Sequence, residues 1–124
     1  MTISATIHNH SYSFLLDTGS VISLIPFHPD LPPLRTTGVS LQTASNSPIK
    51  CYGELDTIIA ILSLQRTFPW TFVVAEISQY ILGVDFLSEH NLTINCTQRT
   101  LTDSLKNHKI SLKSSFRDSD AVKF

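Results

Sequence analysis

Asp17 is the residue from which chemistry in this chain can start. It lies in FLLDTGSVISLIP, residues 14–26, on a tight Thr-Gly turn between two apolar segments. A turn exposed to water ordinarily has polar flanks, whereas Leu15, Leu16, Val21 and Ile22 set this carboxylate on the floor of an apolar region. Burying a lone carboxylate is costly. The cost falls when a second carboxylate shares one proton with it, because like charges about 3 Å apart do not both ionise; such a pair holds an acid and a base together. The simpler alternative is a turn residue, with Asp17 accepting backbone N–H bonds and Gly19 supplying a positive φ.

The other chemistry-bearing residues are weaker candidates. His8 and His10 have strand spacing but no third ligand beside them, which reads as a surface hairpin rather than a metal site. Cys51 and Cys96 are 45 residues apart, with neither a C-x-x-C nor a nearby histidine pair, and read as reduced, partly buried thiols. The acceptor patterns NLT at 91–93 and NCT at 95–97 matter only in a secreted chain and are read as accidental. No metal and no cofactor are expected. A formal charge of −1 leaves no basic excess for nucleic-acid phosphates, so binding DNA or RNA is not the expected function. Apolar runs such as TIIAIL, 57–62, fall far short of the ~20 residues of a spanning helix, and the N-terminus lacks a basic segment followed by an apolar one. The expectation is a soluble, unsecreted chain of 124 residues that folds as one domain, since 42% apolar and 15% charged residues suit a single core.

The elements that must position Asp17 read mainly as strands. ISATIH and YSFLL, parted by the turn-prone HNHS, predict a hairpin that delivers Asp17. VISLIP predicts a further strand closed by Pro26, and the proline-rich FHPDLPPLRTTG a loop. VSLQTA and CYGELDTIIAIL flank SNSPIK as two strands with a projecting turn, and RTFPWTFVVA resumes the strand pattern with aromatic residues at 68, 70 and 72. In YILGVDFLSEHNLTINC an apolar strand ends on Gly83, and Asp85 is placed to cap a short helix ending near Asn91. LTINCTQRTLTD reads as strand, turn and strand. Residues 104–124 are polar with scattered apolar positions and read as a mobile tail. Many short strands with one helix indicate a mainly-β barrel or sandwich.

Over roughly residues 3–103 the sequence resembles the retropepsin-like aspartic proteases, and among them those of Ty3/gypsy-type LTR retrotransposons. LLDTGSVISLIP is similar to the family's catalytic loop and following strand, LQTASNSPIKCYG to its flap hairpin, and ILGVDFL to its apolar-apolar-Gly segment and helix. FPWTFVVAEISQYILGVDFL is similar to the retroelement pattern, in which the protease lies inside a polyprotein ahead of reverse transcriptase. The resemblance implies a closed barrel with a flap hairpin and one short C-terminal helix, with the protease domain at 1–103 and residues 104–124 a tail or linker toward the next segment.

Asp-Thr-Gly occurs once, and LDTI at 55–58 lacks the glycine, so one chain holds half a dyad. A working enzyme then needs a C2 homodimer with the two Asp17 residues facing across the axis. One Asp17 takes a proton from the attacking water while its protonated mate donates to the scissile carbonyl oxygen. Gly19 lets its backbone approach the carboxylates, Thr18 by resemblance hydrogen-bonds across the dimer, and Ser20 is placed to bond the outer carboxylate oxygen. The flap, 42–53, is expected to close over an extended peptide, with Asn46 and Ser47 at its tip and Asn46 in place of glycine for a positive φ. Ile81, two residues before Gly83, resembles a wall residue of the pocket beside the scissile bond. Viral members commonly carry Arg after the apolar-apolar-Gly motif to tie the helix to the active loop; Val84 stands there, so the coupling must differ. The expected partners are a polypeptide of the Gag-Pol type and a second copy of the chain, with no nucleic acid and no membrane, in the cytoplasm or a retroelement particle. The alternative is a catalytically silent, retroelement-derived dimeric or peptide-binding domain.

Overall fold

The structure, a computed structural model, describes residues 1–113. The chain begins with β1 (Thr2–Ile7) and β2 (His10–Leu16), paired from Thr2↔Leu15 to Ile7↔His10. Both residues of the intervening turn have positive φ, His8 at 51° and Asn9 at 66°, the left-handed pair that suits the right-handed twist of a two-residue hairpin. Alternation sends Ile3, Ala5 and Ile7 of β1, and Phe14 and Leu16 of β2, into the core.

After the Asp17 loop come β3 (Leu24–Pro26), β4 (Leu41–Gln42), β5 (Pro48–Ile49), β6 (Cys51–Ile61) and β7 (Arg66–Ala75). A single 3-10 turn, Leu62–Leu64, joins the last two and buries Leu64, and the chain leaves it through Gln65 in the left-handed region. β8 (Tyr80–Leu82) leads into α1 (Val84–Glu89), and β9 (Leu92–Asn95), β10 (Thr100–Asp103) and β11 (His108–Ser111) follow. Six strands close a barrel in the order β1-β2-β8-β3-β7-β6, with β2–β8 and β3–β7 parallel and the seam made by Thr6↔Ala60 and Ile7↔Ile59. Closure removes the open edges that a sheet of this size would otherwise present. The long β6–β7 ladder carries a bulge between Cys51 and Gly53. There Gly53, at φ +147°, lets β6 pass the 34–35 backbone, since a Cβ on it would lie 2.5 Å from the Arg35 carbonyl oxygen.

Phe14, Phe68, Phe72, Phe86, Ile59 and Leu82 fill the core. Helix α1 is fixed to β7 by aromatic contacts: Phe86 lies edge-on to Phe68 and Trp70 at 5.1 Å each, and His90 caps the group 4.6 Å from Phe86. Burial and the nearby Arg66 guanidinium push the His90 pKa down. A second sheet, β11-β10-β9, joins the barrel through Arg66, which donates to both oxygens of the wholly buried Asp103 carboxylate at 2.9 and 3.0 Å. Burial raises the Asp103 pKa, but Arg66 and the backbone N–H groups of Leu105 and Lys106 outweigh it and hold the group below the ordinary carboxylate value.

Three expectations need correction. The strand expected over 21–26 is only Leu24–Pro26, because the Ser20 and Ser23 side chains bond outside the ladder and bend residues 21–23 away. Asp85 does not cap α1: Gly83 is the N-cap residue and Asp85 sits in the first turn. The boundary expected after Asp103 moves outward, since β11 pairs with β10 from Thr100↔Ser111 to Asp103↔His108, Leu112 joins the core and Lys113 bridges to Thr2. The rest of the expected tail, 114–124, lies outside the described residues.

Candidate active site

Asp17 follows β2 directly, at the point where the strand leaves the barrel beside β8. Its own N–H continues the β2–β8 ladder by donating to the Leu82 carbonyl at 3.0 Å, so the barrel wall fixes the residue's backbone. The residue is half-buried, and its carboxylate Oδ1 accepts the Gly19 N–H at 2.9 Å. The Ser20 N–H donates to the Asp17 carbonyl at 3.0 Å and closes the turn. Gly19 is not in the left-handed region; a Cβ there would stand 3.2 Å from Asp17 Oδ1, so the glycine serves close approach rather than φ.

Thr18 is exposed at the tip of the turn. Ser20 behaves otherwise than expected: its hydroxyl donates to the Ile22 carbonyl at 2.7 Å, so its single proton tightens the turn and is not given to the Asp17 carboxylate. Ile81, half-buried in β8, pairs with Leu15 and Leu24, which puts it in the barrel wall one residue before the Leu82 carbonyl that holds Asp17. The structure thus brings Asp17, Thr18, Gly19, Ser20 and Ile81 together. Asn46 and Ser47 lie apart from them, at the tip of the β4–β5 hairpin, a sheet separate from the barrel. The hairpin turns as expected, with Asn46 at φ 67° and the Thr43 N–H donating to the Ser47 carbonyl at 2.8 Å.

Sequence reasoning missed two supports. Ser23 is wholly buried, and its hydroxyl donates to Asp85 Oδ1 at 2.7 Å while accepting the Gly83 N–H at 2.9 Å. The Ser23 N–H reaches Asp85 Oδ2 at 3.0 Å. The available signal was a lone hydroxyl inside the apolar run VISLIP, since a buried hydroxyl must have a partner. Arg35, in the loop before the hairpin, grips Asp56 of β6 with two bonds of 2.7 and 2.8 Å and lies 3.4 Å from Glu54. With Thr71 also donating, at 2.6 Å, Asp56 is pulled down to a pKa of about 2, chiefly by the Arg35 hydrogen bonds.

No family model matches the sequence. Among solved structures, the retroviral protease-like domain of Ddi1 from Leishmania major superposes with a TM-score of 0.70 at 19% identity, over 94% of this chain and 95% of that one. The EIAV protease in complex with the inhibitor HBY-793 superposes with a TM-score of 0.62 at 20% identity, over 77% of this chain and 91% of that one. The closed six-stranded barrel with one small helix, wound so that β8 seats an Asp-Thr-Gly loop, is therefore the retropepsin-like fold.

Proposed function

We propose that the chain is an aspartic endopeptidase that works as a C2 homodimer on a retroelement polyprotein of the Gag-Pol type. The observation that carries this reading is the seat of Asp17: a carboxylate at the mouth of a retropepsin-like barrel, its backbone tied to Leu82 and its Oδ1 accepting the Gly19 N–H. One chain supplies one such carboxylate, and hydrolysis of an amide by a water molecule needs a base and an acid in register. A second copy supplies the missing group. The ionised Asp17 takes the proton of the attacking water, and the protonated Asp17 of the other subunit donates to the scissile carbonyl oxygen. Thr18, exposed at the tip, is the residue placed to bond across the axis. The β4–β5 hairpin closes over the peptide with Asn46 and Ser47 at its tip, and Ile81 forms part of the wall beside the scissile bond. The ordered motifs LLDTGSVISLIP, LQTASNSPIKCYG and ILGVDFL support a Ty3/gypsy-type origin for this reading, and with it action in the cytoplasm or in a retroelement particle.

The test is cleavage of a Gag-like polyprotein by the full chain, with Asp17→Asn beside it. Wild type is expected to cleave with a bell-shaped pH dependence, because the apparent pKa values belong to the pair, and with specific activity that falls on dilution below the dimer dissociation constant. Asp17→Asn is expected to be inert with an unchanged circular dichroism spectrum. A wild-type dimer that cleaves nothing would make the chain a silent retroelement-derived binding domain instead.

A further inference from the structure

Val84 stands where a guanidinium would tie the helix to the active loop, yet loop and helix are tied. The tie is built from Ser23 and Asp85. Ser23 gives both of its donors to this junction, O–H to Asp85 Oδ1 and N–H to Asp85 Oδ2, and its hydroxyl oxygen accepts the Gly83 N–H. Asp85 Oδ1 also takes the Phe86 N–H at 2.8 Å, and among the described residues Asp85 has no ion-pair partner. Two backbone bonds then run from the same junction to the loop: the Val84 N–H donates to the Ser20 carbonyl at 2.8 Å, and the Leu82 carbonyl accepts the Asp17 N–H at 3.0 Å. Ser20 and Asp17 are in turn linked to each other across the turn.

We infer that Ser23 and Asp85 form a clasp, complete within one subunit, that sets the Asp17 loop before two subunits pair; both are positioning residues for the Asp17 carboxylate. The catalytic part of this inference rests on the endopeptidase reading above. Every partner lies in the same chain, so the loop needs no contact from a second copy to reach its shape. The donors are neutral, so its shape is insensitive to salt. Removing the Ser23 hydroxyl leaves the buried Gly83 N–H without its acceptor, and removing the Asp85 carboxylate leaves the Ser23 N–H and O–H without theirs, which loosens the loop while the barrel ladders stay intact.

The test uses the full chain with Ser23→Ala, Asp85→Asn and the conservative Ser23→Thr, read by amide hydrogen exchange and by peptide cleavage well above the dimer dissociation constant. In wild type the Asp17 and Val84 amides are expected to be protected in samples that sediment as monomer as well as in dimers. Ser23→Ala and Asp85→Asn should speed exchange at those two amides at least tenfold, with Phe72 and Ile59 in the barrel unchanged. They should lower kcat at least tenfold with KM within twofold, and Ser23→Thr should restore both. Protection of Asp17 and Val84 in the dimer alone would overturn the inference, as would unchanged exchange or kcat in the two variants. Joint loss of protection at Phe72 and Ile59 would make the pair a folding element and overturn it too. Exchange reads the clasp without turnover, so a wild-type chain that cleaves nothing refutes the endopeptidase reading and leaves the clasp to be judged by exchange.

Discussion

Gly83→Ala isolates the contact between helix α1 and the Asp17 loop. At φ −95° and ψ −173° the backbone of Gly83 is extended and suits alanine, so the substitution carries no conformational penalty of its own. Space is the difficulty. The new methyl would meet the Ser20 carbonyl oxygen at 2.6 Å, the Ile22 carbonyl oxygen at 2.9 Å and the Ile22 carbonyl carbon at 3.0 Å, all backbone atoms that have no rotamer to change. Relief needs a shift of roughly 0.5–1 Å toward ordinary contact distance, an overpacking cost of about 1–3 kcal/mol. The same shift stretches the bonds from Gly83 N–H to Ser23 and from Val84 N–H to Ser20, adding about 1 kcal/mol. At about 4 °C per kcal/mol for a domain of this size, the melting temperature should fall by roughly 8–16 °C. Thermal unfolding followed by circular dichroism measures it, with Gly38→Ala as control, because a Cβ there meets nothing within 4 Å and its φ is not positive. The control should be neutral or gain about 0.4–1 kcal/mol. A Gly83→Ala protein that melts within about 2 °C of wild type would show that α1 does not abut the loop backbone, and the reasoning from this junction would fail.

Three further outcomes are expected. Gly19→Ala presses a methyl against Asp17 Oδ1 and should lower kcat about tenfold with little change in melting temperature, given the ~100-fold cost of a 1 Å misplacement; full activity would show that carboxylate placement is not limiting. Asp56 has a folded pKa of about 2, below its ordinary 3.8, so its contribution to stability is complete above the ordinary value and is lost as pH falls through the folded one. The stability gap between wild type and Arg35→Ala in urea should therefore narrow from pH 6 to pH 2, and an equal gap at both would refute the assignment. Ending the chain after Asp103 removes β11 and the buried Leu112 and should cost about 2–4 kcal/mol in urea unfolding, whereas an unchanged midpoint would make β11 dispensable.

What could be read from the sequence was what is encoded locally. β1 alternates polar and apolar residues along its whole length, β7 sets aromatic residues at 68, 70 and 72, and the Asp17 turn is a contiguous motif, so each announces itself without a partner. β11 does not, because in SLKNHKISLK only Ile110 and Leu112 mark the inward face and the surrounding lysines mask their spacing. The supports of the site were hidden by distance along the chain: Asp85 is 62 positions from Ser23, and Asp56 is 21 from Arg35. Each of those residues is satisfied by a partner that only the folded topology identifies.

The parallel pairing of β2 with β8 also orders events in time. Leu16 lies against Leu82, so the carbonyl that receives the Asp17 N–H belongs to a part of the chain made long after Asp17 itself. At about 5–20 residues per second, the interval is on the order of seconds. During it the β1–β2 hairpin can form from neighbouring residues, whereas the loop beyond it has nothing to rest on. Non-local pairing of this kind is slow, and here it comes last. A chain still being made therefore carries the acid residue without its seat, and acquires the site only when barrel closure is nearly done.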